Sequence, residues 1–151
     1  DESEIDNHDW PCTNPGSRFI IISTPSSVDL CKGWAITADQ ITDNKSDKLI
    51  IYSDRNDEAW LDAEKITWPL IIRSREAGDR YQPLGMPQGS IKLSDLMINR
   101  KLPQRARRSW PLVISGQEVA WIPWFPPADN YRVTDQTQQI LHLKLIQIQD
   151  S

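Results

Sequence analysis

Apolar residues in this chain alternate with polar ones more often than they recur at helical spacing. Residues 18–22 (RFIII) are apolar and β-branched, which predicts a strand. TPSS at 24–27 predicts a turn. In GWAITADQI, 33–41, Trp34, Ile36 and Ala38 alternate, the pattern of a half-buried strand. DNKSD at 43–47 predicts a turn, and KLIIYS at 48–53 a third strand. DEAWLDAEKI, 57–66, reads as a short helix with Asp54 or Asp57 near its cap. WPLIIRSR, 68–75, is a fourth strand that sets Arg73 and Arg75 on one face, because side chains alternate along a strand. In PLVISGQEVAWIP, 111–123, two strands meet at a Ser115-Gly116 turn. YRVT, 131–134, and QQILHLKLIQIQ, 138–149, close the chain as strands. In the last, Leu141, Leu143 and Leu145 alternate with His142, Lys144 and Ile146.

Helical spacing is clearest in IKLSDLMINRKL, 91–102, where Leu93, Leu96, Met97 and Arg100 form one stripe. Ser90 stands where an N-cap is expected. The stripe predicts core packing, with Lys92 and Asn99 held outside. Pro103 opens a second short helix, PQRARRSW. Between strand and helix, EAGDRYQPLGMPQGS has three Gly and two Pro, too many breakers for a regular element, and loops of this size often carry function. Many short strands with one helical insert predict an α+β, β-rich layered domain. The expected organisation is an acidic flexible arm at 1–16, a β-rich connector at 17–66 and a C-terminal domain at 67–151, with 17–151 able to pack as one unit.

Composition adds bounds. The length suits one domain with a core, and no apolar run approaches the roughly 18 residues of a membrane span. The chain begins DESEIDNHDW, without Met, and is expected to be a C-terminal piece of something longer. Cys12 and Cys31 are expected as thiols, with a disulfide the alternative. His8 and Cys12 make one pair at metal-ligand spacing, but Cys31 and His142 do not supply the second pair zinc needs. WIPWFPP, 121–127, offers either an aromatic surface or core packing.

Charge changes the picture more. The net charge is -4, yet the stretch from Arg73 to Arg108 holds nine Lys/Arg against Glu76, Asp79 and Asp95, a local balance of +6. The excess is Arg73, Arg75, Arg80, Lys92, Arg100, Lys101, Arg105, Arg107 and Arg108, seven Arg to two Lys. Arg presents a planar fork suited to phosphate. A solvated helix face is the plain alternative. No phosphate-binding glycine loop or Gly-x-Ser-x-Gly motif occurs. Asp79 and Asp95 are better explained by ion pairing with Arg80 and Lys92 than as a catalytic pair. His8, His142 and Cys31 have no identifiable catalytic partners. No catalytic centre and no metal site is expected.

At 68–134 the residues match a known pattern. PLIIRSREAGDRYQPLG, KLSDLMINRKLPQRARRSWPLV, EVAWIP and YRVT, in order, closely resemble the C-terminal domain of bacterial tRNA(Ile)-lysidine synthase, and NDEAWLDAEKI resembles the segment before it. Arg73, Gly78, Asp79, Arg80, Lys92, Lys101, Pro103, Arg105 and Arg107 fall on matching positions. The resemblance implies a fold shared with a phenylalanyl-tRNA synthetase β-subunit domain. It implies tRNA(Ile) as partner, gripped near the acceptor stem, and a separate catalytic domain that uses ATP and lysine to modify the wobble cytidine in the cytoplasm. That domain's S-G-G-x-D-S loop is absent here, so this piece is expected to need no cofactor. Gly78, Asp79 and Gly85 would shape the loop, with Asp79 holding Arg80. The chain departs from the pattern at Ile91, Arg108 and 124–126, where Trp124, Phe125 and Pro126 replace a Gly-x-Arg run. The alternative is an architectural module that docks on the catalytic domain without touching RNA.

Overall fold

In the computed structural model of the chain, residues 10–42 and 57–148 are described. The expected turn at 43–47, the expected strand at 48–53 and most of the acidic arm lie outside these residues. Alternation dominates the sequence, and two four-stranded antiparallel sheets dominate the fold. The first runs β1 (Arg18–Ile21), β5 (Leu70–Arg73), β8 (Leu112–Ser115) and β9 (Glu118–Trp121). The second runs β2 (Ser26–Asp29), β3 (Trp34–Thr42), β10 (Gln139–Gln147) and β4 (Glu58–Asp62). A two-stranded ribbon, β6 (Arg80–Tyr81) with β7 (Ile91–Lys92), leads into helix α1 (Leu93–Asn99) and then α2 (Gln104–Arg107). Both sheets draw strands from either side of residue 66, so the connector and the C-terminal part share one core. The expected β-rich layering is thus reached with few helical residues.

The pattern explains the core. Leu141, Leu143 and Leu145 of β10 point inward while His142, Lys144 and Ile146 are half-buried. Leu93, Leu96 and Met97 bury the inner face of α1, and Lys92 and Asn99 stay exposed. Trp110, Trp121, Leu112 and Ile122 are fully buried. Trp110 and Trp121 each donate an indole N–H to a backbone carbonyl, of Pro123 at 3.1 Å and Phe125 at 2.9 Å. That satisfies the polar end of a large apolar group.

Several local expectations are corrected. Residues 57–66 form strand β4 and a 3₁₀ turn (Ala63–Lys65) rather than a helix. A ten-residue helix is marginal alone, whereas β10 offers a complete ladder, and Trp60 stacks on His142 with ring centroids 4.8 Å apart. YRVT contains a single bridge, Arg132 to Leu61, after a 3₁₀ turn (Asp129–Tyr131). TPSS is only partly a turn, since Ser26 and Ser27 pair with β3 as the start of β2. The arm is not loose throughout: Trp10, Pro11, Cys12 and Thr13 are buried, and the Thr13 N–H donates to the Ser109 carbonyl at 2.7 Å. Cys12 and Cys31 form a disulfide rather than two thiols; a backbone bond from Cys31 N–H to the Cys12 carbonyl holds the two segments side by side.

Candidate nucleic-acid interface

The loop between β5 and α1 is built from two turns and one carboxylate. Glu76 to Asp79 closes with a 3.1 Å bond from the Asp79 N–H to the Glu76 carbonyl. Pro83 to Met86 closes likewise at 3.0 Å. Gly78 (φ 88°) and Gly85 (φ 94°) occupy the third position of each turn, where a left-handed φ is needed. The Gly85 N–H also donates to Oδ1 of the buried Asp129, tying the loop to the 3₁₀ turn at Asp129–Tyr131.

Asp79 does not hold Arg80. It takes the fork of Arg73, with Nη1 and Nη2 at 2.9 and 3.0 Å from its two oxygens. It also accepts the Glu76 N–H at 2.7 Å. Burial pushes the Asp79 carboxyl up, but the Arg73 hydrogen bond, the Glu76 N–H and the charges of Arg73 and Arg18 together hold it below the usual carboxylate range. Arg73 is 9% exposed and also donates from Nη1 to the Ser74 carbonyl. It is therefore a buried support rather than an open phosphate ligand. β5 ends at Arg73, so strand alternation does not carry on to place Arg75. Arg80 is held instead by Ser90, through Oγ at 2.8 Å and the carbonyl at 2.9 Å. Ser90 is thus occupied, and the N-cap position of α1 falls to Lys92, without a side-chain cap.

The corner between the helices follows from backbone rules. At the end of α1, Lys101 N–H donates to the Ile98 carbonyl and Leu102 N–H to the Met97 carbonyl, with Lys101 at φ 59°. This is a Schellman motif closed by Pro103. Glycine is the usual occupant of that left-handed position, and a lysine there retains its charge at a conformational cost. Lys101→Gly is expected to raise unfolding free energy by up to about 1 kcal/mol while weakening the hold on any polyanion it touches; chemical denaturation and an RNA-binding assay on the same variant check both halves. The Arg107 Nε donates to the Leu102 carbonyl at 2.9 Å and pins the corner.

The nine cationic residues line more than one local feature. Arg73, Arg75 and Arg108 converge on a cleft of about 280 Å³, together with Arg18 and Glu76. Arg18 is absent from the residues expected on sequence grounds. Its signal is the β1–β5 pairing, which sets Arg18 opposite Arg73, and which RFIII alone does not reveal. Arg18 pairs with Glu76 in the cleft wall. Among the described residues no carboxylate lies within ion-pair distance of Arg75 or Arg108. Arg80 and Lys92 are directly opposed across the β6–β7 ribbon, so two like charges share one face, an arrangement that repels unless an anion lies between. Arg80 also lines a polar cleft of about 590 Å³ with Glu118 and Tyr131. There the Tyr131 hydroxyl donates to Glu118 Oε1 at 2.7 Å, and burial first, then Glu118, pushes its pKa up to about 12. Arg100 lies 4.6 Å over the Phe125 ring, and Arg105 5.9 Å from the Trp10 ring. Asp95 is exposed and, among the described residues, forms no ion pair with Arg80 or Lys92. Among the described residues no group of three or more His, Cys, Asp or Glu gathers as a metal site would, and no helix is long and apolar enough to cross a membrane.

An antiparallel two-sheet fold of this kind is found in solved structures of tRNA-related proteins. The crystal structure of a TilS C-terminal domain superposes with a TM-score of 0.69 over 89% of this chain and 100% of that one, at 22% identity. An N-terminal fragment of the phenylalanyl-tRNA synthetase β-subunit from Pyrococcus horikoshii superposes with a TM-score of 0.52 over 90% of this chain and 46% of that one, at 16% identity. At these identities the likeness is one of fold. Residues 70–145 match the family model of the TilS substrate C-terminal domain, and the chain belongs to that family. Among curated relatives, the tRNA(Ile)-lysidine synthase of Symbiobacterium thermophilum is 44% identical over 68 residues, 45% of this chain and 14% of that protein. That of Bacillus subtilis is 33% identical over 117 residues, 76% of this chain and 23% of that protein. The chain thus spans less than a quarter of the length of these two relatives.

Proposed function

We propose that this chain is the tRNA-binding C-terminal part of an ATP-dependent tRNA(Ile)-lysidine synthase, which positions the acceptor stem while a separate catalytic domain attaches lysine to the wobble cytidine. The observation that supports it best is the cleft where Arg75 and Arg108 meet beside Arg18 and the anchored Arg73. Among the described residues the Arg75 and Arg108 guanidinium groups have no carboxylate within ion-pair distance, and set just past β5 and at the end of α2 they suit phosphate oxygens. A-form RNA hides its major-groove edges, so such a surface reads backbone position and shape. ATP and lysine belong to the catalytic domain, and this chain contributes grip and register.

A competition experiment tests the acceptor-stem assignment. A labelled tRNA(Ile) bound to this chain is challenged with an acceptor-stem minihelix or with an anticodon hairpin of equal length. The minihelix is expected to displace the tRNA and the hairpin is not. Equal displacement by both removes the assignment to the acceptor stem, and no tRNA binding at all removes the function. A second reading rests on β1, an edge strand where Ile20 and the following Ile22 are 61% and 75% exposed; this strip suits docking against the catalytic domain, and salt-insensitive association with that domain in the absence of tRNA supports it.

A further inference from the structure

Trp124 sits where its backbone should not hold a large side chain. Its φ is 74°, a left-handed value that bulky residues rarely adopt. Its ring is nonetheless fixed by two edge contacts, to Trp110 at 5.2 Å and Trp34 at 6.4 Å between centroids, both inclined at 77°. Unlike Trp110 and Trp121, it is only half-buried. It lines an open pocket of about 470 Å³ with Phe125, Leu102, Arg100 and Asp57, a volume typical of small-ligand sites. Phe125 is buried, and the Arg100 guanidinium lies over its ring.

We propose that this pocket takes an unpaired nucleobase, stacked on Trp124 beside the Arg100 guanidinium. The proposal rests on the tRNA-binding reading above and names what the arginine cleft alone does not supply. Flat aromatic and guanidinium planes accept any base that is out of a duplex, because every base has a π-face. The rigid seating of Trp124 between two other tryptophans lowers the ordering cost of such a contact. The source on an acceptor stem is its single-stranded 3′ tail.

Three fluorescent RNA hairpins of the same stem test this by anisotropy: one blunt, one with a four-nucleotide 3′ tail ending in adenine, and one whose tail carries the same phosphates on abasic sugars. The natural tail is expected to tighten binding about five- to 150-fold over the blunt stem, the range for stacking one base. The abasic tail is expected to add much less. Trp124→Gly, which removes the ring and suits the backbone angle, should erase the gain while leaving blunt-stem affinity unchanged. Trp124→Phe should keep part of it. Blunt-stem affinity serves as the folding control for both variants. Equal affinity for blunt and natural-tailed stems overturns the pocket while the tRNA-binding reading stands, as does an abasic tail that matches the natural one. A failure of all three RNAs to bind overturns both.

Discussion

Asp79→Ala is expected to lower the unfolding free energy by about 2–4 kcal/mol, in the range for breaking one side of a largely buried pair. The Arg73 and Asp79 side chains are 11% and 14% exposed. The substitution removes the forked carboxylate of Arg73, leaving only Glu76 at 3.8 Å from its Nε, and leaves the Glu76 N–H without an acceptor. A fall of about 5–15 °C in melting temperature corresponds to that destabilisation at this chain length. The same pair sets a pH dependence. The Asp79 pKa is lowered in the fold, so its contribution is present above the unfolded carboxylate value, about 3.9, and is lost as pH falls below it through the folded value. Stability curves from pH 6 to pH 2 should show a steeper acid fall for the natural chain than for Asp79→Asn. Parallel curves would mean that the fork contributes little. The Asp79 carbonyl also accepts the Leu93 N–H at the start of α1, so damage at Asp79 should reach the helical corner too.

The second large effect concerns binding. Replacing Arg75 and Arg108 together by Gln is expected to weaken tRNA affinity about 10- to 100-fold at physiological salt, since two charge-assisted hydrogen-bond donors are removed. Thermal stability should hardly move, because neither residue pairs with a carboxylate among the described residues. The weakening should be similar for different tRNAs, since phosphate contacts position without reading sequence. Arg73→Gln, by contrast, should act through stability.

The alternation of β10, the β8–β9 hairpin and the apolar stripe of α1 were legible in the sequence because each is a local pattern that burial follows directly, although the hairpin turns at Gly116-Gln117, one residue past the expected Ser115-Gly116. The family was legible because its motifs are long and ordered. DEAWLDAEKI was not: as an isolated segment it favours a helix, and only the ladder offered by β10, some eighty residues later, turns it into a strand. Charge alone also could not tell Arg73 from Arg75. One is forked onto Asp79 in the interior and the other stands at a cleft, a difference set by where β5 ends. The sequence pairs Asp79 with its neighbour Arg80, but the turn at Gly78 directs the carboxylate back towards β5. A single cationic surface is likewise what the sequence suggests. In the fold, Arg73, Arg75 and Arg108 line a cleft, Arg80 and Lys92 face each other on a ribbon, and Arg100 lines an aromatic pocket.

The salt dependence of tRNA(Ile) binding bears most directly on the arginine cleft. Affinity is measured for the natural chain and for the Arg75/Arg108→Gln variant across a series of KCl concentrations. Each phosphate left without its guanidinium should flatten the log–log slope by about 0.7–0.9, so the variant's slope should be shallower by roughly 1.4–1.8. Two lines of equal slope and equal height would contradict the assignment of these guanidinium groups to the RNA backbone.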